Sequence, residues 1–260
     1  MTERVAVALS GGVDSAVAAY LLLSRGYEVK GFFLKLSPDS DPKSAIAVAE
    51  HLGIELEVID LADEFDRLVV DPFVQSYLAG RTPNPCALCN PRIKFGTLMD
   101  IAGSQGFTKL STGHYARLVR DASHKPHLYR ADHMEKDQSY FLFGIPKERL
   151  GNILFPLGEL TKDEVRQIAT DREMPTSRRE SQDVCFLVGG DYREFLEKRL
   201  DEPPRAGQIV DLRGRVRGLH SGYYTLTFDA HLVGHEDAEF NAQVWIRPLP
   251  TAISVVSSLT

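Results

Sequence analysis

The spacing of apolar and polar residues divides most of the chain into short strands and amphipathic helices. Val5-Ala-Val-Ala-Leu9 is a continuous apolar run of strand length, the pattern of a strand buried on both faces. It leads through Ser10-Gly-Gly-Val-Asp-Ser15 into a helical stretch, Ala16–Ser24, that Gly26 closes. Val29–Leu36 reads as a second strand and Lys43–Leu52, stopped by Gly53, as a second helix. Glu55–Leu61 reads as a third strand and Asp63–Leu78 as a third helix. Strands alternating with helices predict right-handed crossovers and a parallel sheet.

The pattern breaks at Gly80-Arg-Thr-Pro-Asn-Pro-Cys-Ala-Leu-Cys-Asn-Pro91, where three prolines in twelve residues argue against a regular helix or a central strand. A helix is predicted to resume over Ile93–Ser104, followed by a strand at Lys109–Thr112. Residues 136–200 read as mainly helical, with Thr161-Lys-Asp-Glu164 as a capping box. From Pro203 the texture becomes that of short antiparallel strands: Ile209–Leu212, Arg215–Leu219 and Tyr223–Phe228, with further strand signals at Val244–Arg247 and Ile253–Val256. The expected fold is α/β. A nucleotide-binding sheet domain occupies residues 1–135, a helical extension 136–202, and a small β region 203–260.

Composition narrows the class. No apolar run is long enough to span a membrane, and Met1–Ser10 lacks a signal-peptide pattern. Three cysteines are too few, and odd in number, for a disulfide framework, so a reduced, cytoplasmic protein without a membrane partner is expected. The net charge of −6 argues against a generic nucleic-acid binder, but the charge is unevenly spread. Residues 1–80 carry six basic side chains against thirteen acidic ones, whereas Arg81 to Arg130 carry eight basic against two acidic. The second segment has the local excess that phosphate-backbone binding needs; a solvated face with uneven charge is the plainer account.

Ser10–Ser15 carries the first specific chemistry. Gly11 and Gly12 let the backbone approach an anion, and the first-turn N–H groups of the following helix, with its dipole, can hold a phosphate. Ser10 and Ser15 offer hydroxyls, and Asp14 is a candidate to hold Mg²⁺ or a bound water. The segment has neither the Gly-Lys-Ser/Thr ending of a Walker loop nor a Gly-x-Gly-x-x-Gly fingerprint. A simple glycine-containing turn, with Ser10 or Asp14 capping the helix, is the structural alternative. The motif resembles that of the PP-loop ATP pyrophosphatases, which implies ATP with Mg²⁺ and adenylation of an oxygen.

The cysteines lie in two places, Cys86 and Cys89 in the proline-bounded segment and Cys185 in Val184-Cys-Phe186. A Cys-x-x-Cys on a rigid turn can chelate a metal centre, while a lone cysteine between apolar neighbours is by default a small buried hydrophobe. Several ordered segments then resemble the tRNA-specific 2-thiouridylases: Ser10–Ser15, Gly80–Pro85, Leu88–Asn90, Ile93–Phe95, Ser111–Tyr115, Lys136–Phe141, Phe155–Gly158, Cys185–Phe186 and Arg193–Phe195. The resemblance implies that Ala8, Leu9 and Val13, with Ser10, Gly11, Gly12, Asp14 and Ser15, line an ATP site with Leu34 and Gly113. It places His114 near the chemistry. Asn84, Pro85 and Cys86 would meet the target base, and Lys136, Asp137 and Gln138 would contact tRNA. Cys89 and Cys185 match the family's reactive pair, one carrying a persulfide and the other resolving the product. Without the family, His114 reads as a structural histidine and Lys136-Asp137 as a helix start.

The chain departs from that family in two ways. Cys86 stands where the common members carry Asp, so Cys86, Cys89 and Cys185 form a candidate three-thiolate set. Three thiolates can hold a 4Fe–4S cluster with one iron open to bind hydrosulfide. That route is the leading expectation. The Cys185 persulfide with Cys89 resolving is the alternative, and a zinc site comes third. Further on, Gly218–Leu226 resembles the family's central β domain, but Phe228-Asp-Ala-His231 replaces the expected Gly-Gln-Arg-Lys-Gly, and no counterpart of the family's C-terminal barrel follows. The implied function is ATP-dependent 2-thiolation of the tRNA wobble uridine, with inorganic sulfide or a persulfide-carrying protein as sulfur donor and a homodimer as one means of gripping tRNA. A PP-loop sulfurtransferase or ligase acting on a small molecule is the enzymatic alternative, and a non-catalytic iron–sulfur carrier the third class.

Overall fold

The computed structural model describes residues 2–79, 81–177, 184–187, 192–200, 207–210, 213, 215–220, 244–248 and 253–255. The strand expected at Tyr223–Phe228 and the Phe228–His231 departure lie outside these residues. The chain forms two compact units, residues 1–71 with 84–186 and residues 72–83 with 187–260. Their edges do not coincide with the segment boundaries expected at 135 and 202.

The first unit is built on a five-stranded sheet. Its strands are β1 (Arg4–Ala8), β2 (Glu28–Lys35), β3 (Leu56–Asp60), β4 (Lys109–Ser111) and β7 (Ile153–Leu154), in the order β3-β2-β1-β4-β7. Every neighbouring pair is parallel. In β1, Val5 and Val7 face one core with α1 (Val13–Ser24) and α2 (Lys43–Leu52), while Ala6 faces the other with Phe32, Phe95 and Leu110. Two apolar faces explain why Val5–Ala8 is uniformly apolar; fully burying each valine contributes roughly 2 kcal/mol. In α1, Ala16, Val17, Ala18 and Ala19 are all buried, because the helix packs on the sheet and on α8 (Lys162–Asp171).

The capping box forms as the sequence predicts: Thr161 Oγ1 accepts the Glu164 N–H at 3.1 Å, and Glu164 Oε2 accepts the Thr161 N–H at 2.7 Å. Such a cap contributes about 1 kcal/mol and fixes where α8 starts.

The helix predicted over Asp63–Leu78 is helical throughout but changes geometry, with α3 (Ala62–Phe65), a π turn at Asp66–Val70, and α4 (Asp71–Leu78). The proline-rich segment differs from expectation. Pro85–Cys89 is a helix, α5, followed by a π segment at Asn90–Leu98 and by α6 (Met99–Ser104). Pro85 stands in the first turn, where a missing N–H costs nothing, and Asn84 Oδ1 caps it by accepting the Ala87 N–H at 3.1 Å. Pro91 is accommodated where the helix widens.

A two-stranded hairpin, β5 (Ala116–Arg120) with β6 (Pro126–Arg130), was not expected from the sequence. Residues 136–177 are less helical than expected: two 3₁₀ turns, Met134–Lys136 and Ser139–Leu142, precede α7 (Lys147–Leu150), β7 and α8. The second unit contains α9 (Tyr192–Glu197) and a four-stranded antiparallel sheet. Its strands are β8 (Gly207–Val210), β9 (Val216–His220), β10 (Val244–Pro248) and β11 (Ile253–Val255), ordered β11-β10-β8-β9. Within this unit Phe73 meets Phe195 edge-on, and Tyr77 stacks on Tyr192 with ring centroids 5.0 Å apart.

Candidate active site

The strand order places a topological switch between β1 and β4, whose connections leave to opposite sides. In open α/β sheets, ligands bind at the carboxyl ends of the strands at such a crevice. Leu9–Gly12 leaves β1 there, and Thr112–His114 leaves β4.

Gly11 adopts φ +82°, and a Cβ on it would come within 2.6 Å of the Ser44 and Ala45 backbone at the start of α2. Only glycine fits. Gly12 N-caps α1, and no side-chain hydrogen bond caps that helix, so its first turn presents backbone N–H groups and the positive dipole end. The loop is braced internally. Ser15 Oγ donates to the Gly12 carbonyl at 3.0 Å and accepts the Ser10 N–H at 3.2 Å, and the two serine hydroxyls lie 3.1 Å apart. Ser177 N–H donates to the Gly11 carbonyl at 2.9 Å. Gly113 closes the crevice from β4: a Cβ there would meet the Asp14 and Ser15 backbone at 2.8 Å.

Asp14, expected to hold Mg²⁺ or water, is engaged by protein groups. Lys162 Nζ lies 2.7 and 2.8 Å from its two oxygens, and the Tyr115 hydroxyl donates to Oδ1 at 2.8 Å. Sequence reasoning did not single out Lys162 or Tyr115, although the capping box sets Lys162 as the first residue of α8. Leu9 is a core side chain, 1% exposed, so it contributes backbone at most to a nucleotide site. Ala8 and Leu34 are partly buried against the second core, and Val13 against the first.

His114 packs against both Phe95 and Phe155, with ring centroids 6.1 and 6.2 Å away, and its Nδ1 is 2.7 Å from Thr112 Oγ1. Burial and then the Lys94 charge push its pKa well below the ordinary histidine value, so the ring is neutral at physiological pH.

The three cysteines come into one neighbourhood. Burial pushes the Cys89 thiol up to about 11; Lys94 opposes this, and Cys185 and Cys86 add to it. Cys185 keeps an exposed surface, yet its thiol is also raised, chiefly by desolvation, with Lys94 again opposing and Cys86 adding. Cys86 is exposed and Cys89 buried. Lys94 is thus the cation whose field reaches His114, Cys89 and Cys185. It was noted in the sequence only as part of Ile93-Lys-Phe95 and of a basic surface. Soft thiolates suit an iron–sulfur cluster or zinc chemically, but among the described residues no three His, Cys, Asp or Glu side chains are grouped closely enough to hold a metal ion.

Asn84 and Pro85, expected to meet the base, build the start of α5. Asp137 and Gln138, expected to contact tRNA, have structural partners. Asp137 Oδ1 accepts the Ala131 N–H at 2.9 Å, Ser139 Oγ donates to Oδ2 at 2.7 Å, and Gln138 Oε1 accepts the Tyr115 N–H at 3.0 Å. Lys136 is exposed. In the basic segment, Arg92 spends its guanidinium on the Leu68 carbonyl at 3.0 Å. No helix among the described residues is long and apolar enough to cross a membrane.

Comparison with known proteins agrees with this geometry. The family described as the tRNA methyl transferase HUP domain matches residues 3–189. A tRNA-specific 2-thiouridylase MnmA of Geobacter metallireducens is 43% identical over 243 residues, covering 86% of this chain and 66% of the relative. That of Dehalococcoides mccartyi is 42% identical, covering 85% of this chain and 64% of the relative, and that of Syntrophus aciditrophicus 45%, covering 87% and 64%. The chain therefore spans slightly less than two thirds of the length of these relatives. With a parallel sheet, a glycine loop at its switch point and the family match over residues 3–189, the chain belongs to the tRNA-specific 2-thiouridylase family.

Proposed function

We propose that this protein activates a tRNA uridine with ATP and replaces its 2-oxygen with sulfur. The observation that carries the reading is the linkage of phosphate loop and thiols: Gly113 packs on the first turn of α1, and the next residue, His114, shares the field of Lys94 with Cys89 and Cys185.

ATP phosphates lie on the Gly11–Gly12 backbone and the N-terminus of α1, with Mg²⁺ shielding their charge. The target base leaves its stack so that the 2-carbonyl oxygen attacks the α-phosphorus and pyrophosphate departs. The oxygen now leaves as AMP when sulfur attacks the carbon. His114, neutral and packed against two phenylalanines, adds no positive charge beside Lys94 and helps to keep the site dry.

The sulfur step runs through the cysteines, which share one neighbourhood around Lys94. Cys185, exposed, accepts a persulfide from a carrier protein. Its terminal sulfur attacks the activated carbon and AMP leaves, so the base is held in a disulfide with Cys185. The Cys89 thiolate then attacks the Cys185 sulfur, the thiolated base departs with the electron pair, and a Cys89–Cys185 disulfide remains for an external thiol to reduce. Lys94 favours the thiolate forms in both steps.

The test is an assay with tRNA, ATP and Mg²⁺, supplying a persulfide carrier or inorganic sulfide and detecting 2-thiouridine by mass spectrometry. Thiolation from the carrier, lost in Cys185→Ser, is expected. Thiolation from sulfide by iron-containing but not iron-free protein would replace the persulfide step by the cluster route. AMP formation indifferent to tRNA would overturn the substrate assignment in favour of a small molecule.

A further inference from the structure

We propose that Tyr140 and Phe143 form a stacking shelf for unpaired RNA bases beside the target nucleotide; this rests on the tRNA reading above. Both rings project from the 3₁₀ turn Ser139–Leu142 and its exit, at 67% and 70% exposure, with centroids 6.1 Å apart. The intervening Leu142 is 1% exposed and anchors the turn in the core.

The turn is held rigidly. Asp137 accepts N–H and O–H groups of Ser139, and Gln138 exchanges hydrogen bonds with the Tyr115 backbone, donating its N–H at 2.8 Å and accepting at 3.0 Å. Asn90, next to Cys89, is buried and donates Nδ2 to the Phe141 carbonyl at 3.0 Å. A Cβ on Gly144 would come within 3.1 Å of Pro91 Cγ, so the turn lies against the helix that carries Cys86 and Cys89. The turn that carries the two rings thus packs on the segment that follows Cys86 and Cys89.

The surroundings point to the kind of partner. Charges of both signs border the turn, exposed Lys136 and Lys147 beside exposed Glu135 and Glu148, and the Arg130 field reaches Asp137. The preceding segment Arg81–Arg130 carries eight basic residues against two acidic. A protein interface of useful strength has a contiguous apolar centre depleted of charge, whereas rings interspersed with cations are the arrangement that binds single-stranded nucleic acid. Flipping one base out of an anticodon loop leaves its neighbours unstacked, and a ring pair beside the site replaces the lost stacking.

The experiment uses the whole chain and an anticodon stem-loop carrying 2-aminopurine beside the target uridine, with affinity and fluorescence quenching as readouts. Tyr140→Ala with Phe143→Ala should weaken binding by about tenfold and abolish quenching, while Tyr140→Phe with Phe143→Tyr stays within about twofold of the unmodified chain. ATP affinity and melting temperature should not change. Unaltered affinity and quenching in the double alanine variant would overturn the shelf alone. A changed sedimentation coefficient with RNA binding intact would overturn it in favour of a contact between protein chains. Failure of the unmodified chain to bind the stem-loop would overturn the tRNA reading and the shelf with it.

Discussion

Lys162 Nζ lies 2.7 and 2.8 Å from the two carboxylate oxygens of Asp14, joining the first residue of α8 to the first turn of α1, 148 positions earlier in the chain. The lysine side chain is 10% exposed and the aspartate 36%. Removing the lysine leaves a carboxylate uncompensated where ATP phosphates would bind. Lys162→Met should weaken ATP binding by about tenfold, with a loss of about 1 kcal/mol in stability after allowing for the exposure of Asp14. Adding Asp14→Asn should restore part of the ATP affinity. Calorimetric titration of the two single variants and the double variant checks this; equal ATP affinity in all of them would refute the electrostatic coupling.

Gly11 and Gly26 both adopt positive φ, +82° and +84°, but in different surroundings. A Cβ on Gly26 meets nothing within 4 Å, whereas one on Gly11 would enter the α2 backbone. Gly26→Ala should cost about 1 kcal/mol from backbone strain alone, and Gly11→Ala about 3 kcal/mol or more together with loss of ATP binding. Chemical denaturation and nucleotide titration of both variants separate the two effects.

The buried Cys89 thiol titrates near 11 in the folded protein against an ordinary value of 9.0. Between those values the unfolded chain has released the proton and the folded chain retains it, so stability falls as pH rises. The contribution lost by pH 11 is about 3 kcal/mol. Cys89→Ala should flatten the decline in melting temperature over that interval. Lys94→Ala removes the opposing charge and should slow iodoacetamide alkylation of Cys89 and Cys185 at fixed pH.

His114 has the opposite linkage. Its folded-state pKa is depressed, so as pH falls below the ordinary value of 6.5 the unfolded chain takes up a proton that the folded chain refuses, and stability declines. His114→Gln should remove part of the acid-side loss in melting temperature. A proton titration followed by NMR should find the imidazole still neutral at pH 6. An imidazolium at that pH would contradict its desolvated placement against Phe95 and Phe155.

The parallel strands, α1, α2 and the capping box were legible because their causes are local: apolar runs of strand length, helical periodicity, Gly53 at a left-handed stop and Thr161 three residues before Glu164. The PP-loop was legible because its glycines answer a requirement of backbone geometry. The helix at Pro85–Cys89 was misread, since three prolines look like breakers unless one stands in a first turn and another where the helix widens. The β5–β6 hairpin was missed because its residues show weak alternation and its turn, with His124 at φ +59°, lacks glycine.

The amino-acid order alone therefore determined the α/β class, the phosphate loop and the family, because each is written in short-range spacing. Three things were decided only in the tertiary structure. Strand order brought β4 beside β1 and set Gly113 on the α1 backbone. Folding across the sheet gave Asp14 a lysine partner instead of an open face. Packing also gathered Lys94 with His114, Cys89 and Cys185. Burial, opposing charges and distances across the chain are properties of through-space packing, and a linear pattern of residue types does not carry them.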